Sequence, residues 1–150
     1  MKIFHFLAIQ FEGNRMEVCC AIIVRGSKIL AVQRGPVSSH PWKWEFPGGK
    51  VNTDESAEQC IAREIEEELT VVIVVLKELL AIEFAYADAK PFRLIPFVCQ
   101  MMSDEINLTE HVAQRWLAFE DLEPVDWLDA DRELILKNQD ELKWLLKRSI

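Results

Sequence analysis

Glu64, Glu67 and Glu68 are spaced i, i+3 and i+4, which on a helix projects three carboxylates from one face. Like charges packed that closely repel one another, at a cost in stability unless a cation sits among them. Hard divalent cations such as Mg2+ or Mn2+ take oxygen ligands of this kind and also bind phosphate oxygens, so the trio is a candidate metal platform. Upstream, Pro47-Gly48-Gly49 offers a sharp turn whose backbone can approach a metal or a phosphate closely. Turn and helix together make a candidate pyrophosphate site. An acidic helix face alone is more often solvated surface; the glycine turn beside it is what favours chemistry.

A helix over residues 56–69 must carry the glutamates. Ser56 and Gln59 form a capping-box pair at its start, and Ala57, Ile61, Ile65 and Leu69 recur every four positions as its buried stripe. Residues 18–24 and 28–33 read as a β-hairpin turning at Arg25-Gly26-Ser27, followed by a loop over 35–41 and a short strand over 44–46. Strands are expected over 71–75, 79–86, 92–101 and 115–119, with a turn at 87–90. Pro96 inside the third of these predicts a sheet edge or a bulge. A final amphipathic helix over 131–147 would turn Leu134, Ile135, Leu142 and Leu145 inward. Mixed strands with helices on either face predict an α/β/α sandwich, in the α/β class but not doubly wound.

These residues resemble the box of the Nudix hydrolases, G-x5-E-x7-R-E-U-x-E-E-x-G-U with U a bulky apolar residue. Gly49, Glu55, Arg63, Glu64, Ile65, Glu67, Glu68 and Val71 are all in register, and Thr70 stands where the family has its second glycine. Six fixed polar or glycine positions in register arise by chance in on the order of 1 in 10,000 chains, so the match is specific. The resemblance spans about residues 16–147. It implies a Nudix fold around a mixed sheet, in which Glu64, Glu67 and Glu68, with the Gly48 carbonyl, hold Mg2+ or Mn2+. It also implies that Glu64 or Glu68 activates water, since a metal-bound water beside a carboxylate is a usable nucleophile near neutral pH. Arg63 is suited to lock a glutamate by a bidentate ion pair, and Glu55 to stabilise the corner between loop and helix. Thr70 would cost about 1 kcal/mol or more in a left-handed helix cap, but it removes no ligand.

The run Trp44-Glu45-Phe46-Pro47-Gly48-Gly49-Lys50 is similar to the MutT-type branch, which includes 8-oxo-dGTP diphosphatases and CTP or modified-dCTP pyrophosphohydrolases. In that branch an arginine at the position of Arg34 contacts phosphate, and Lys50 and Gly49 suit the same role; the lysine and the arginine are equally readable as solvated surface. Glu110, six positions before Trp116, matches a further metal ligand or base. Asp131, fifteen after that tryptophan, matches the base-reading side chain, although an Asp at a helix start is also a good N-cap. Phe46, Phe92 and Phe97 could stack on a base, or could be core. The implied activity is hydrolysis of a nucleoside triphosphate, such as 8-oxo-dGTP, to the monophosphate and pyrophosphate, sanitising the nucleotide pool. The alternatives are a CTP or 5-methyl-dCTP pyrophosphohydrolase, and a catalytically silent binding module on the same fold.

The 150 residues, 50% of them hydrophobic, suffice for one domain over 16–150 preceded by an extension over 1–15. That extension would be an added edge strand, a dimer contact, or a segment preceding a true start at Met16. A net charge of -8 argues against binding duplex nucleic acid. Cys19, Cys20, Cys60 and Cys99 show neither zinc spacing nor a disulfide framework and read as buried thiols of a cytoplasmic protein. Neither apolar run, 1–11 or 71–82, reads as a signal peptide or a membrane span. A monomer or homodimer is expected, with a small-molecule nucleotide as its partner.

Overall fold

The computed structural model describes residues 15–148. Its elements are β1 (Met16–Arg25), β2 (Lys28–Gln33), β3 (Trp44–Glu45), β4 (Gly48–Lys50), α1 (Ala57–Leu69), β5 (Ile73–Glu78), β6 (Ile82–Phe84), β7 (Phe92–Met101), β8 (Ala113–Leu117), α2 (Asp129–Lys137) and α3 (Gln139–Arg148). Residues 1–14, and with them the edge-strand, dimer-contact and start-site expectations, lie outside the described residues.

The strands form a mixed eight-stranded sheet in the order β3-β2-β1-β7-β5, with β4 on β1, β6 on β7 and β8 on β2. β1 runs parallel to β7 from Met16↔Phe92 to Ile23↔Cys99. On its other side β1 changes partner: Val18, Cys19 and Cys20 face β4, whereas Val24 and Arg25 form the expected hairpin with β2. The sheet therefore splays beside β1, and β4 enters the opening with its two glycines.

Alternate residues of β1 and β7 enter two separate cores. Cys19, Ala21 and Ile23, with Ile95, Phe97 and Cys99, pack under Ile61, Ile65 and Leu69 of α1. Cys20 and Ile22, with Leu94 and Val98, pack against Leu134, Leu142 and Leu146 of α2 and α3. Burial on both faces explains why these strands read as continuous apolar runs rather than alternating ones. The α/β/α sandwich is thus as expected, and all four cysteines are buried and free.

Five local expectations are corrected. Pro96 is buried at the centre of β7, not at a sheet edge. The partner strand β5 ends opposite Phe97 and β6 begins opposite Leu94, so the missing proline N–H falls where one partner gives way to the next. The Pro96 carbonyl still accepts the Leu79 amide at 2.9 Å. The bulge lies instead in β5, between Val75 and Lys77. The strands read over 71–75 and 79–86 are Ile73–Glu78 and Ile82–Phe84, and the strand over 115–119 is Ala113–Leu117. The final helix is two helices broken at Asn138. The buried Asn138 amide donates to the Leu80 and Leu134 carbonyls, and its oxygen accepts the Leu80 amide; a side chain that replaces backbone partners in this way ends a helix.

Candidate active site

The capping box of α1 forms as read: Ser56 Oγ accepts the Gln59 amide at 3.1 Å and Gln59 Oε1 accepts the Ser56 amide at 2.9 Å. With Cys60, Ile61, Ile65 and Leu69 held in the core, the three glutamates take unequal positions. Glu68 is buried at 5% exposure, Glu64 is half-buried, and the Glu67 side chain is 58% exposed.

Glu68 and Glu64 lie against β4. Glu68 Oε2 accepts the Gly48 amide at 3.1 Å. A Cβ on Gly48 would come within 2.0 Å of the Cys19 carbonyl oxygen, and one on Gly49 within 2.4 Å of the Glu64 carboxyl carbon. Both glycines are therefore required by close approach, Gly48 to backbone and Gly49 to a side-chain carboxylate.

Arg63 holds the other side of the cluster. Its guanidinium grips Glu55 bidentately, with Nε to Oε2 at 3.0 Å and Nη2 to Oε1 at 2.7 Å. Nη1 reaches Glu64 at 2.8 Å and Glu67 at 3.3 Å, and Nη2 also donates to the Lys50 carbonyl at 3.3 Å. The Arg63 bond, seconded by the Asn52 amide, pulls the Glu55 carboxyl down to about 2. Glu55 thus acts as the corner residue joining loop to helix.

Thr70 does adopt the left-handed conformation, at φ 62°, which is uncommon for a β-branched residue. The helix ends where a glycine would end it, and the Thr70 hydroxyl donates to the Asn107 carbonyl at 3.1 Å.

The glutamates border a cleft of about 720 Å3, a size that suits a small ligand. It is lined by Gly48, Gly49, Lys50, Glu64, Glu68 and Glu110, together with Arg34, Phe46 and Asp131. The cleft thus gathers the residues expected to touch metal or substrate except Glu67 and Phe97. Arg34 does not reach out as a free cation: Nη1 lies 3.2 Å from both oxygens of Glu45, and Nε and Nη2 bond Ser39. Asp131 is not an N-cap. Leu128 holds that place, and Asp131, buried within α2, accepts the Phe46 amide at 2.9 Å. The Phe46 ring is buried and packs 4.9 Å from Trp127. Phe92 borders the cleft beside Tyr86, whereas Phe97 is excluded as a stacking residue because it lies in the core beneath α1.

Three cleft residues escaped the sequence reading. Glu45 accepts Arg34 and, at 2.9 Å, stands against His111 Nε2; the His111 side chain is 6% exposed and its Nδ1 has no partner among the described residues. Tyr86 accepts the Ala130 amide through its hydroxyl at 3.0 Å. Glu45 lies inside the motif run and His111 follows Glu110, so adjacency was the signal available for both.

Burial, with the charges of Glu110, Glu45 and Glu64, pushes the Glu68 carboxyl up to about 9. Burial likewise raises Glu64, and it raises Asp131 well above the carboxylate range with help from Glu45. Among the described residues, no three His, Cys, Asp or Glu side chains converge on a common ion position; Arg63 draws Glu64 and Glu67 toward itself. The donor set nevertheless fits a hard divalent cation, because the carboxyl oxygens of Glu64, Glu68 and Glu110 line one cleft close enough to act on one another. Among the described residues no helix is long and apolar enough to cross a membrane.

The NUDIX domain family matches residues 13–138. A putative 8-oxo-dGTP diphosphatase 2 of Mycobacterium tuberculosis is 31% identical over 117 residues, covering 77% of this chain and 82% of the relative. The CTP pyrophosphohydrolase of Escherichia coli is 52% identical over 54 residues, a match to 36% of this chain and 40% of that protein's length. Among solved structures, a MutT NUDIX hydrolase from Burkholderia pseudomallei superposes with a TM-score of 0.72 at 28% identity, covering 81% of this chain and 96% of the other. With Gly49, Glu64 and Glu68 of the box lining one cleft and a family match over most of its length, the chain belongs to the Nudix family of pyrophosphate-bond hydrolases.

Proposed function

We propose that the protein hydrolyses a nucleoside triphosphate to the monophosphate and pyrophosphate, with 8-oxo-dGTP as the leading substrate. The observation that carries this is that Glu64, Glu68, Glu110, Gly48 and Gly49 line one nucleotide-sized cleft that also has Asp131 in its wall. Glu64, Glu67, Glu68 and Glu110, with the Gly48 carbonyl, would hold Mg2+ or Mn2+. That ion would supply charge neutralisation for the phosphates and a lowered pKa for bound water. Glu64 or Glu68 would take the proton of an attacking water, and Arg63 holds the Glu64 carboxylate by a 2.8 Å bond from Nη1. Lys50 and the Gly49 backbone, which line the cleft, would contact the phosphates. Arg34, anchored by Glu45 and Ser39, presents a fixed guanidinium to the triphosphate rather than a mobile one.

Asp131 is the base-reading residue in this mechanism. Burial favours the protonated form of this carboxyl, in which it can both donate and accept, matching the mixed donor and acceptor edge of a purine or a cytosine. The 8-oxo-dGTP reading is supported by the relative matched over most of its length, and a role in sanitising the nucleotide pool of the cytoplasm goes with it. A cytosine nucleotide is the second reading, favoured by the higher identity of the shorter match.

The test is pyrophosphate release with Mg2+ or Mn2+ from 8-oxo-dGTP, dGTP, CTP, dCTP and 5-methyl-dCTP, for wild type and Asp131→Asn. Turnover led by 8-oxo-dGTP, with a preference that collapses in the variant, supports the reading. Turnover led by a cytosine nucleotide selects the second reading, and none on any substrate points to a silent binding module.

A further inference from the structure

A helix leaves its last four carbonyls without partners inside the helix, and in α1 the way they are satisfied is unusual. The Glu66 carbonyl takes the Thr70 amide at 3.0 Å, as in an ordinary left-handed cap. The other three are satisfied from a loop about forty residues downstream. Thr109 Oγ1 donates to the Glu67 carbonyl at 2.7 Å, and its amide donates to the Glu68 carbonyl at 3.0 Å. The Asn107 amide donates to the Leu69 carbonyl at 2.9 Å. In return the Thr70 hydroxyl donates to the Asn107 carbonyl. The next residue of the loop is Glu110, which enters the cleft beside Glu64 and Glu68; the one after it, His111, abuts Glu45.

We propose that residues 107–109 are a strap that locks Glu110 to the end of the glutamate helix, with Thr109 and Thr70 as positioning residues that set the Glu110 carboxylate against Glu68. Glu110 and Glu68 line the same cleft, and the spacing of their carboxyls is set by the backbone beneath both. Thr109 fixes that backbone from one residue away, holding the carbonyls of Glu67 and Glu68 at once. Thr70 then has a positive role at the helix end, since a glycine there would relieve the backbone strain but could not tie Asn107. The inference rests on the reading of Glu110 as a ligand.

The experiment measures Mn2+ binding to the substrate-free protein by calorimetry, together with the melting temperature, kcat and KM. Its variants are Thr109→Val, Thr109→Ser, Thr70→Gly and Glu110→Gln, with the double variant Thr109→Val/Glu110→Gln. Valine keeps the shape and loses the hydroxyl. It should weaken Mn2+ binding about tenfold, the scale of losing an orienting partner of a metal ligand, and lower kcat with little change in KM. Serine should restore both. Thr70→Gly should weaken Mn2+ binding in the same direction even if melting is unchanged or raised. The double variant should bind Mn2+ no worse than Glu110→Gln alone, because the strap acts through that residue. A Thr109→Val protein that melts lower but binds Mn2+ and turns over normally would overturn the strap, leaving Thr109 a helix cap only. If Glu110→Gln binds Mn2+ as wild type does, the ligand reading of Glu110 fails and the strap's purpose fails with it.

Discussion

Glu68 is almost fully buried, yet its carboxylate takes the amide hydrogen of Gly48 at 3.1 Å as its one direct bond to the glycine turn. Burial and the neighbouring acids lift its pKa from 4.5 to about 9 in the folded chain. A raised carboxyl pKa favours the protonated form of the fold, so its contribution is full below about 4.5 and is lost as pH rises toward about 9. The metal-free protein should therefore melt lower at pH 9 than at pH 6, by roughly 10 °C for a loss of about 4 kcal/mol in a domain this size. Glu68→Gln should flatten that slope, and Mg2+ should oppose it in the wild type. Thermal melts across pH with and without Mg2+ check all three points.

The two glycines of the turn should fail differently. A methyl on Gly48 meets backbone at 2.0 Å, which nothing nearby can yield cheaply. One on Gly49 meets the Glu64 carboxylate, the end of a side chain that can swing away. Gly48→Ala should lower stability by several kcal/mol or prevent folding, a backbone clash being worse than ordinary overpacking. Gly49→Ala should fold and melt near wild type but lose most of its activity, because Glu64 is displaced. Melting curves set beside rates distinguish the two outcomes.

The parts legible in the sequence were those written in local spacing. The capping box, the α1 stripe, the β1–β2 hairpin and the register of Glu55, Arg63 and the glutamates needed only i, i+3 and i+4 arithmetic and turn chemistry. The parts that were not legible depend on contacts distant in the chain. Asn138 breaks the last helix by bonding Leu80, fifty-eight positions away, and Pro96 is tolerated inside the sheet because β5 hands over to β6 opposite it. Glu45 and His111 form a pair across sixty-six positions that no local pattern announces. Asp131 was legible only as an alternative, and its bond to the Phe46 amide turns it from a helix cap into a wall of the cleft.

Arg34 should not tolerate lysine. Its guanidinium spans Glu45 and Ser39 with three nitrogens, a fork that an ammonium cannot reproduce. Arg34→Lys should raise KM for the triphosphate about tenfold, on the order of 1.4 kcal/mol of lost binding, with a smaller change in kcat. Steady-state kinetics on the preferred nucleotide provide the check.

Asn138 offers a contrast far from the chemistry. Its side chain makes three hydrogen bonds while 3% exposed, and removing it strands the Leu80 amide and carbonyl. Asn138→Ala should cost roughly 1–2 kcal/mol through the lost hydrogen bonds of a part-buried site. The melting temperature should fall by several degrees, while kcat and KM below that temperature stay at wild-type values.

The central claim is that buried carboxylates beside Gly48-Gly49 drive metal-dependent cleavage of a triphosphate. It is tested most directly by initial rates of pyrophosphate formation with saturating Mg2+ for wild type, Glu64→Gln and Glu68→Gln, each confirmed folded by its melting curve. The expected result is pyrophosphate from the wild type, dependent on Mg2+, and a loss of about 10²–10⁴-fold in each variant, the range for removing a positioned acid or base. Folded variants that turn over at wild-type rates, or a wild type whose turnover is unaffected by removing Mg2+, would contradict it.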